Sequence, residues 1–247
     1  KRLFKQIVLS ATYRQTSAAS PEIWRADPTN RWFARGPRLR LDAEEIRDAA
    51  LAASGLLNRR LGGPSVRPYQ PPGLWEAISY GRDFTAQRYV QDQGDRLYRR
   101  SLYTFWKRSS PPPNLSAFDA PNREFCTLTR SQTNTPQQAL VLMNDPTFLE
   151  AARVLSAAAM RRHDKVDAQI ADAFLRVISR EPKSQELQAL RELYQSQRGR
   201  FQADQAAANE LLSIGAAPRS KTPIVSHAAL MIVVSAIMNL DEATYAN

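Results

Sequence analysis

The sequence has 247 residues and a formal net charge of +10, from 34 basic and 24 acidic side chains. Its content of 43% hydrophobic and 23% charged residues is typical of a folded globular protein and excludes a disordered chain. The longest apolar run, near residues 228–240, is shorter than the roughly 18 residues of a membrane span. The single cysteine, Cys126, excludes a disulfide framework, a zinc finger and a CxxCH haem-attachment site.

The excess positive charge lies in the first half of the chain. Residues 1–130 contain 22 basic and 12 acidic residues, whereas residues 131–247 contain 12 of each, and 28 of the basic residues are arginines. Because the planar guanidinium group binds carboxylate, sulfate or phosphate with two hydrogen bonds, the first half predicts an anion-binding surface with guanidinium groups facing water. In the alternative interpretation the arginines pair with carboxylates of the chain itself.

Residues 1–60 are predicted to be helical. Asp42 with Glu45 has the spacing of a capping box, and Gly55 is a natural helix end. Residues 62–73, with three glycines and four prolines, predict a stiff irregular loop. That loop is either a binding element or a support for the core.

The aromatic segment 97–107 and the segment 124–130 predict two short strands with a proline-rich connection. After residue 131 the pattern is helical, with starts at Thr135-Pro136 and Asp145-Pro146 and an apolar last helix near residues 226–240. The predicted fold is mainly α, a bundle-like domain with one small β-hairpin or sheet and long Pro/Gly-rich loops. Residues 1–247 are predicted to be a single domain of a longer protein, in which residues 1–130 are arginine-rich and residues 131–247 are helical.

Arginine and aromatic residues are mixed along residues 67–123, which suits stacking on sugar rings and binding of acidic groups. The same mixture occurs in ordinary cores with ion-paired rims. The candidate binding residues are Arg67, Tyr69, Gln70, Trp75, Arg99, Arg100, Tyr103 and Arg123, with Tyr80 and Arg82 nearby.

A few acidic residues, the cysteine and the histidines are the remaining candidates for catalytic or metal-binding groups. Asp119 and Glu124 are candidates for an acid–base pair on a glycosidic bond. In the alternative interpretation Asp119 caps a turn and Glu124 pairs with an arginine. Cys126 is predicted to be a buried inert thiol, and His227 a satisfied polar group at the last helix. Calcium binding by Asp83, Asp92 and Asp95 is a further hypothesis without EF-hand spacing, and no metal site is predicted.

An ordered series of short motifs runs along the chain. It comprises residues 10–15 (SATYRQ), 27–31 (DPTNR), 37–44 (PRLRLDAE), 62–66 (GGPSV), 69–71 (YQP), 98–103 (YRRSLY), 118–124 (FDAPNRE) and 133–140 (TNTPQQAL). Taken in this order the motifs resemble the planctomycete-type domain-of-unknown-function family 1553, over nearly the whole chain.

The resemblance implies a C-terminal module of large exported proteins that often carry a c-type cytochrome-like domain. It therefore implies an extracytoplasmic location, with no cofactor in this segment and any haem in a neighbouring domain. It implies no catalytic residue, because no activity is established for the family.

Three functions remain open from the sequence. The first is an accessory module, not an enzyme on its own, that presents an arginine/aromatic surface to another domain of the same protein or to an acidic or sulfated glycan. The second is a polysaccharide-acting enzyme domain that uses carboxylates. The third is a scaffold that docks a cytochrome-like domain. Nucleic acid is not an expected partner because no RNP-type aromatic signature or basic zipper region occurs, and no membrane span is expected.

Overall fold

The computed structural model describes residues 1–78 and 88–246, which fall into two units. One unit is formed by Lys1–Leu41 together with the C-terminal residues from Thr244, and is called the Lys1–Leu41 unit below. The other is Asp42–Ala243. Tyr80, Arg82 and Asp83 lie outside the described residues, so the hypotheses that involve them stay predictions.

The Lys1–Leu41 unit contains two helices and the small sheet. Its elements are α1 (Arg2–Leu9), α2 (Pro21–Ala26), β1 (Leu39–Arg40) and β2 (Tyr245–Ala246). The two strands pair antiparallel, with Leu39 opposite Ala246. Ser20 begins α2 because its hydroxyl accepts a hydrogen bond from the amide of Ile23. The predicted small sheet is therefore present, although not where the sequence placed it.

The Asp42–Ala243 unit is a helical bundle. Its helices are α3 (Ala43–Ser54), α4 (Leu74–Ala77), α5 (Pro113–Ser116), α6 (Pro136–Asn144), α7 (Pro146–Arg162), α8 (Val166–Ile178), α9 (Ser184–Ala203), α10 (Gln205–Leu211) and α11 (Ile224–Met238). The last helix, α12 (Asp241–Thr244), begins in this unit and ends one residue past its boundary. The central helix is α11, which packs against α7, α8, α9 and α10, while α3 packs against α7. Ala228, Leu230, Val233 and Ile237 on α11 are fully buried, as its nearly uninterrupted apolar sequence predicts. The mainly α fold class is confirmed.

The helix starts that the sequence predicts are also present. Asp42 and Glu45 form a capping box at the start of α3, and Gly55 ends that helix in the left-handed conformation at φ 81°. Thr135 begins α6 in a second capping box with Gln138. Asp145 begins α7, where its side chain accepts a hydrogen bond from the amide of Thr147. Each of these caps joins residues that are two or three positions apart, so the short sequence around the helix start is enough to predict it.

The predicted strands at 97–107 and 124–130 are wrong. The first segment instead contains two 3-10 turns, Gly94–Tyr98 and Ser101–Tyr103, and no strand is formed in the second. The guanidinium group of Arg47, buried on α3, binds the carbonyls of Leu97 and Arg99 at 2.8 and 3.0 Å. Because these carbonyls bind a side chain, they are not available for a continuous β-ladder. In the described residues this segment forms isolated bridges, such as that between Val66 and Thr104.

In the described part of the chain no helix is both long enough and apolar enough to cross a bilayer.

Candidate anion-binding surface

Five of the eight residues that the sequence predicts as ligand-binding groups are in cation–π pairs within the chain. Four cations lie over ring faces at 3.9 to 4.9 Å from the ring centroids, namely Arg99 over Tyr103, Arg123 over Trp106, Lys107 over Trp75 and Arg67 over Phe105. Each pair gains a cation–π attraction within the fold. The ring faces that would stack on a sugar are thus partly occupied by the chain's own cations.

Arg99 holds the irregular loop of residues 62–73, called the Gly/Pro-rich loop below, by hydrogen bonds to its backbone. Its side chain is buried and donates to the carbonyl oxygens of Arg60, Gly62 and Pro64 at 3.1, 2.6 and 3.3 Å. The amide of Gly62 in turn donates to the hydroxyl of Tyr103 at 2.8 Å. These bonds explain why a loop that cannot form a helix or strand holds one conformation, and they leave Arg99 unavailable to an external anion.

Tyr69 leads from the same loop into the bundle core. Its hydroxyl donates to Oε2 of Glu150 at 2.9 Å and accepts from the amide of Ala216 at 2.8 Å. Tyr98 donates to Oε1 of the same carboxylate at 3.0 Å. Burial, together with the negative charge of Glu150, raises the pKa of Tyr69 to about 12. The geometry makes Tyr69 a structural link between the loop and α7.

The remaining residues of the loop region are packed inward to different degrees. Trp75 is buried and meets Tyr89 edge-on at a centroid distance of 5.2 Å. The amide of Arg67 donates to Oδ2 of Asp92 at 2.7 Å, which fixes the backbone there. Nε2 of Gln70 is buried and has no hydrogen-bond partner among residues 1–78 and 88–246. Trp75 therefore belongs to the core and offers no free ring face to a ligand.

Arg100 and Arg130 border a groove of about 470 Å³ along the outer side of α3. The groove is also lined by the carboxylates of Glu44, Glu45 and Asp48. Arg130 pairs with Glu44 at 2.6 Å, and Arg100 lies 3.6 Å from Asp48. An incoming anion would have to compete with these carboxylates, so the groove does not favour anions.

Asp119 and Glu124, the candidate acid–base pair, lie in different surroundings. Both oxygens of Asp119 accept hydrogen bonds from Thr133, whose amide donates to Oδ2 at 2.9 Å. Glu124 is exposed, as is Arg123 beside it. Asp119 thus has a local structural role, holding the loop that precedes α6.

The prediction that Cys126 is buried is wrong, because its thiol is exposed. The residue lies on a loop without a strand, so no sheet covers the thiol. Asp92, one of the calcium candidates, accepts a hydrogen bond from the amide of Arg67, and its Oδ1 pairs with Nε of Arg96 at 3.2 Å. Within the described ranges no group of His, Cys, Asp or Glu side chains is arranged to hold a metal ion.

The Lys1–Leu41 unit has many cations that are open to solvent for its short length, whereas the exposed arginines of the other unit, such as Arg59, Arg108 and Arg198, are spread over a chain about five times as long. Six exposed basic side chains of the Lys1–Leu41 unit form no ion pair within the described chain, namely Lys1, Arg2, Lys5, Arg14, Arg25 and Arg31. The acidic residues of residues 1–41 are Glu22 and Asp27, and Asp27 is buried, where it accepts from the amides of Arg31 and Trp32.

Exposed aromatic rings accompany these cations. Trp32 is 72% exposed, Phe33 67% and Tyr13 65%, while Trp24 carries the guanidinium of Arg35 at 3.7 Å from its ring centroid. The binding residues predicted from the sequence all lie between 67 and 123 and do not include this region. The signal that could have found it is the scarcity of acidic residues in the first 41 positions.

Comparison with known proteins gives a family and nothing finer. No curated protein and no solved structure matches the chain. One family model matches residues 1–194, more than half of the chain. The chain therefore belongs to the family described as PSD1, a protein of unknown function (DUF1553).

Proposed function

We propose that the chain is an accessory binding module, without catalytic activity of its own, that binds an acidic or sulfated glycan through its Lys1–Leu41 unit. The motif resemblance supports a location outside the cytoplasm, where such glycans occur, and that location is included in the proposal. The single observation that carries it is the set of six exposed cations without an ion pair in the described chain, which belong to the same unit as the exposed rings of Trp32, Phe33 and Tyr13.

The charge of this surface favours an anionic ligand. Arg14, Arg25 and Arg31 are exposed, and each can bind a sulfate or carboxylate group with two parallel hydrogen bonds. An external anion at these residues displaces no internal carboxylate, in contrast to Arg100 and Arg130. Binding at such a surface costs little desolvation and depends strongly on ionic strength.

The aromatic residues favour a ligand that contains sugar rings. A flat ring with a free face stacks on the C–H face of a sugar, and the exposed rings of Trp32, Phe33 and Tyr13 offer such faces. A purely electrostatic surface would attract any polyanion equally. Rings and guanidinium groups together favour a polymer that has both sugar faces and acidic substituents.

The test uses heparin as the acidic probe and neutral dextran as the uncharged one. In the triple variant Arg14→Gln/Arg25→Gln/Arg31→Gln, heparin affinity at low salt is expected to fall at least tenfold. The matched control is Arg59→Gln/Arg108→Gln/Arg198→Gln, which removes the same charge from exposed positions elsewhere and is expected to change affinity less than threefold. Trp32→Ala is expected to weaken binding without changing its salt dependence.

Two results would reject the proposal. One is the absence of heparin binding at low salt. The other is an equal loss of affinity in the two triple variants, because binding would then follow net charge alone. Neutral dextran is expected not to bind.

A second candidate function is docking of another domain of the same protein, and the surface of α1 favours it. Leu3, Phe4, Ile7 and Val8 are exposed on this helix, and none of its residues is buried. Exposed apolar patches of this kind are typical of interaction sites. Phe4→Asp is expected to abolish co-purification with a cytochrome-like domain of the same protein while heparin binding is retained; unchanged co-purification would reject this candidate.

A further inference from the structure

A small cavity in the Asp42–Ala243 unit is lined by basic and hydroxyl side chains. It has a volume of about 180 Å³ and is bordered by Arg153, Asn209, Leu212, Arg219, Ser220, Thr222, Ile224 and His227. Most of these residues lie after position 194, outside the matched family region. The volume is enough for a sulfate or phosphate ion with a few waters, since one water takes about 30 Å³.

The cations around the cavity exceed the carboxylates available to neutralise them. Arg219 is exposed and donates to the carbonyl of Asn209 at 3.2 Å, and Arg161 donates to Oγ of Ser220 at 3.4 Å. Among the residues that the structure describes, neither of these arginines forms an ion pair. Both therefore keep donor groups and charge that the protein itself does not use.

Arg153 is the third cation, but it is already paired with Glu150 and donates to the carbonyls of Ile214, Ala217 and Pro218. It lies 3.5 Å from Oε1 of Glu150, with both side chains buried. The same carboxylate accepts from Tyr69, from Tyr98 and from the amide of Ala217. Glu150 is thus fully engaged in the core, and it does not neutralise Arg219 or Arg161.

His227 is held as a neutral wall of the cavity. Its Nε2 lies 2.9 Å from the carbonyl oxygen of Arg153, which can only accept, so Nε2 carries the proton. The hydroxyl of Thr222 then donates to Nδ1 at 2.9 Å. Burial lowers the pKa of His227, and the positive charges of Arg153 and Arg161 act in the same sense. His227 and Thr222 are consequently satisfied by each other and by the backbone.

The donors left for a ligand are the guanidinium of Arg219 and the hydroxyl of Ser220. Oγ of Ser220 accepts from Arg161 and keeps its own proton to donate. Ile224, on the cavity wall, begins the 15-residue helix α11, whose positive dipole end adds to the same potential.

We propose that this cavity, called the Arg219 cavity, binds a small tetrahedral oxyanion, sulfate or phosphate. Arg219 and Ser220 contact the anion, and Arg161, which donates to Ser220, supplies further charge beside it. The site is separate from the glycan-binding surface proposed above, and it shares no ligand-contacting residue with that surface.

Isothermal titration of the purified chain tests the site, with sodium sulfate, sodium phosphate and sodium acetate as probes at constant ionic strength held with sodium chloride. Sulfate and phosphate are expected to bind and acetate is not. Arg219→Gln is expected to weaken sulfate binding about tenfold, because one charge-assisted contact is lost. Ser220→Ala is expected to weaken it about threefold. Arg198→Gln, an exposed arginine on α9, is the matched control and is expected to leave the affinity unchanged.

The proposal is overturned if neither sulfate nor phosphate gives binding heat beyond that of chloride, if acetate binds as tightly as they do, or if Arg219→Gln and Arg198→Gln have the same effect. Binding of one tetrahedral ion and not the other supports the site and identifies its anion. Loss of heparin binding in the Lys1–Leu41 unit leaves all of these outcomes unaffected, so the two proposals fail separately.

Discussion

Oε2 of Glu150 accepts a hydrogen bond from the hydroxyl of Tyr69 at 2.9 Å, across 81 positions of sequence. Glu150 lies on α7 and is fully buried, whereas Tyr69 lies in the Gly/Pro-rich loop. The same carboxylate accepts from the amide of Ala217 at 2.5 Å, so two loops meet on one buried charge. A buried carboxylate is tolerated there because two tyrosine hydroxyls and a backbone amide donate to it and Arg153 pairs with it.

The packing around Glu150 predicts a large effect of Gly215→Ala. Gly215 has φ +91°, and a Cβ atom there would overlap the carboxylate carbon of Glu150. That carboxylate is anchored by its hydrogen bonds and cannot move aside at low cost. Loss of about 2–4 kcal/mol in the free energy of unfolding is expected from backbone strain and overpacking, measured by urea denaturation.

Gly199→Ala is the matched control for this substitution. Gly199 lies inside α9, and apart from the local backbone of its own helix no described atom lies within 4 Å of the position of an added Cβ. The variant is expected to gain roughly 0.4–1 kcal/mol, because alanine favours the helix and restricts the unfolded chain. Equal effects of the two substitutions would contradict the account of Gly215.

Arg99 and Arg100 are adjacent in sequence but are expected to respond differently to replacement by lysine. Arg99→Lys removes the planar group that binds three carbonyls at once, and about 2–4 kcal/mol of stability is expected to be lost. Arg100→Lys keeps the exposed, distant contact with Asp48, and a change below about 0.5 kcal/mol is expected. Chemical denaturation of both variants decides the point, and a stable Arg99→Lys protein would show that these hydrogen bonds are dispensable.

Arg180 predicts a pH dependence of stability. It pairs with Glu186 and Glu242 at 2.7 Å each, and its hydrogen bonds lower the pKa of Glu186 from 4.5 to about 2 and that of Glu242 in the same direction. Since the folded state favours the ionised carboxylates, their contribution is complete above about pH 4.5 and is lost as the pH falls toward 2.

The Arg180→Gln variant is therefore expected to be less stable than the wild type at pH 7, with a difference that shrinks between pH 4.5 and 2. Urea denaturation at several pH values measures this difference. Arg198→Gln removes an exposed arginine without an ion pair in the described chain and is expected to show no such trend. A gap between wild type and Arg180→Gln that is independent of pH would contradict the assignment.

The helical framework could be predicted because its signals lie within a few residues of one another. Thr135 and Gln138 satisfy each other's backbone amides, and the apolar sequence of α11 can be buried only inside a bundle. The strand predicted for the aromatic segment 97–107 is wrong. Its residue types favour a strand, but two of its carbonyls bind Arg47, about fifty positions away. The binding residues could not be assigned from the sequence for the same reason, because long-range contacts decide which side chains stay exposed.

The positions of the charged residues in the sequence show that the excess positive charge lies in the first half of the chain. Short-range sequence patterns determined the helices of the second half. Only the tertiary structure decided which arginines face water. Arg99 and Arg14 are chemically identical, yet Arg99 is buried against three carbonyl oxygens and Arg14 is exposed. The physical reason is that neutralisation of a guanidinium group depends on acceptors brought to it by folding, and their positions are not written in the neighbouring sequence.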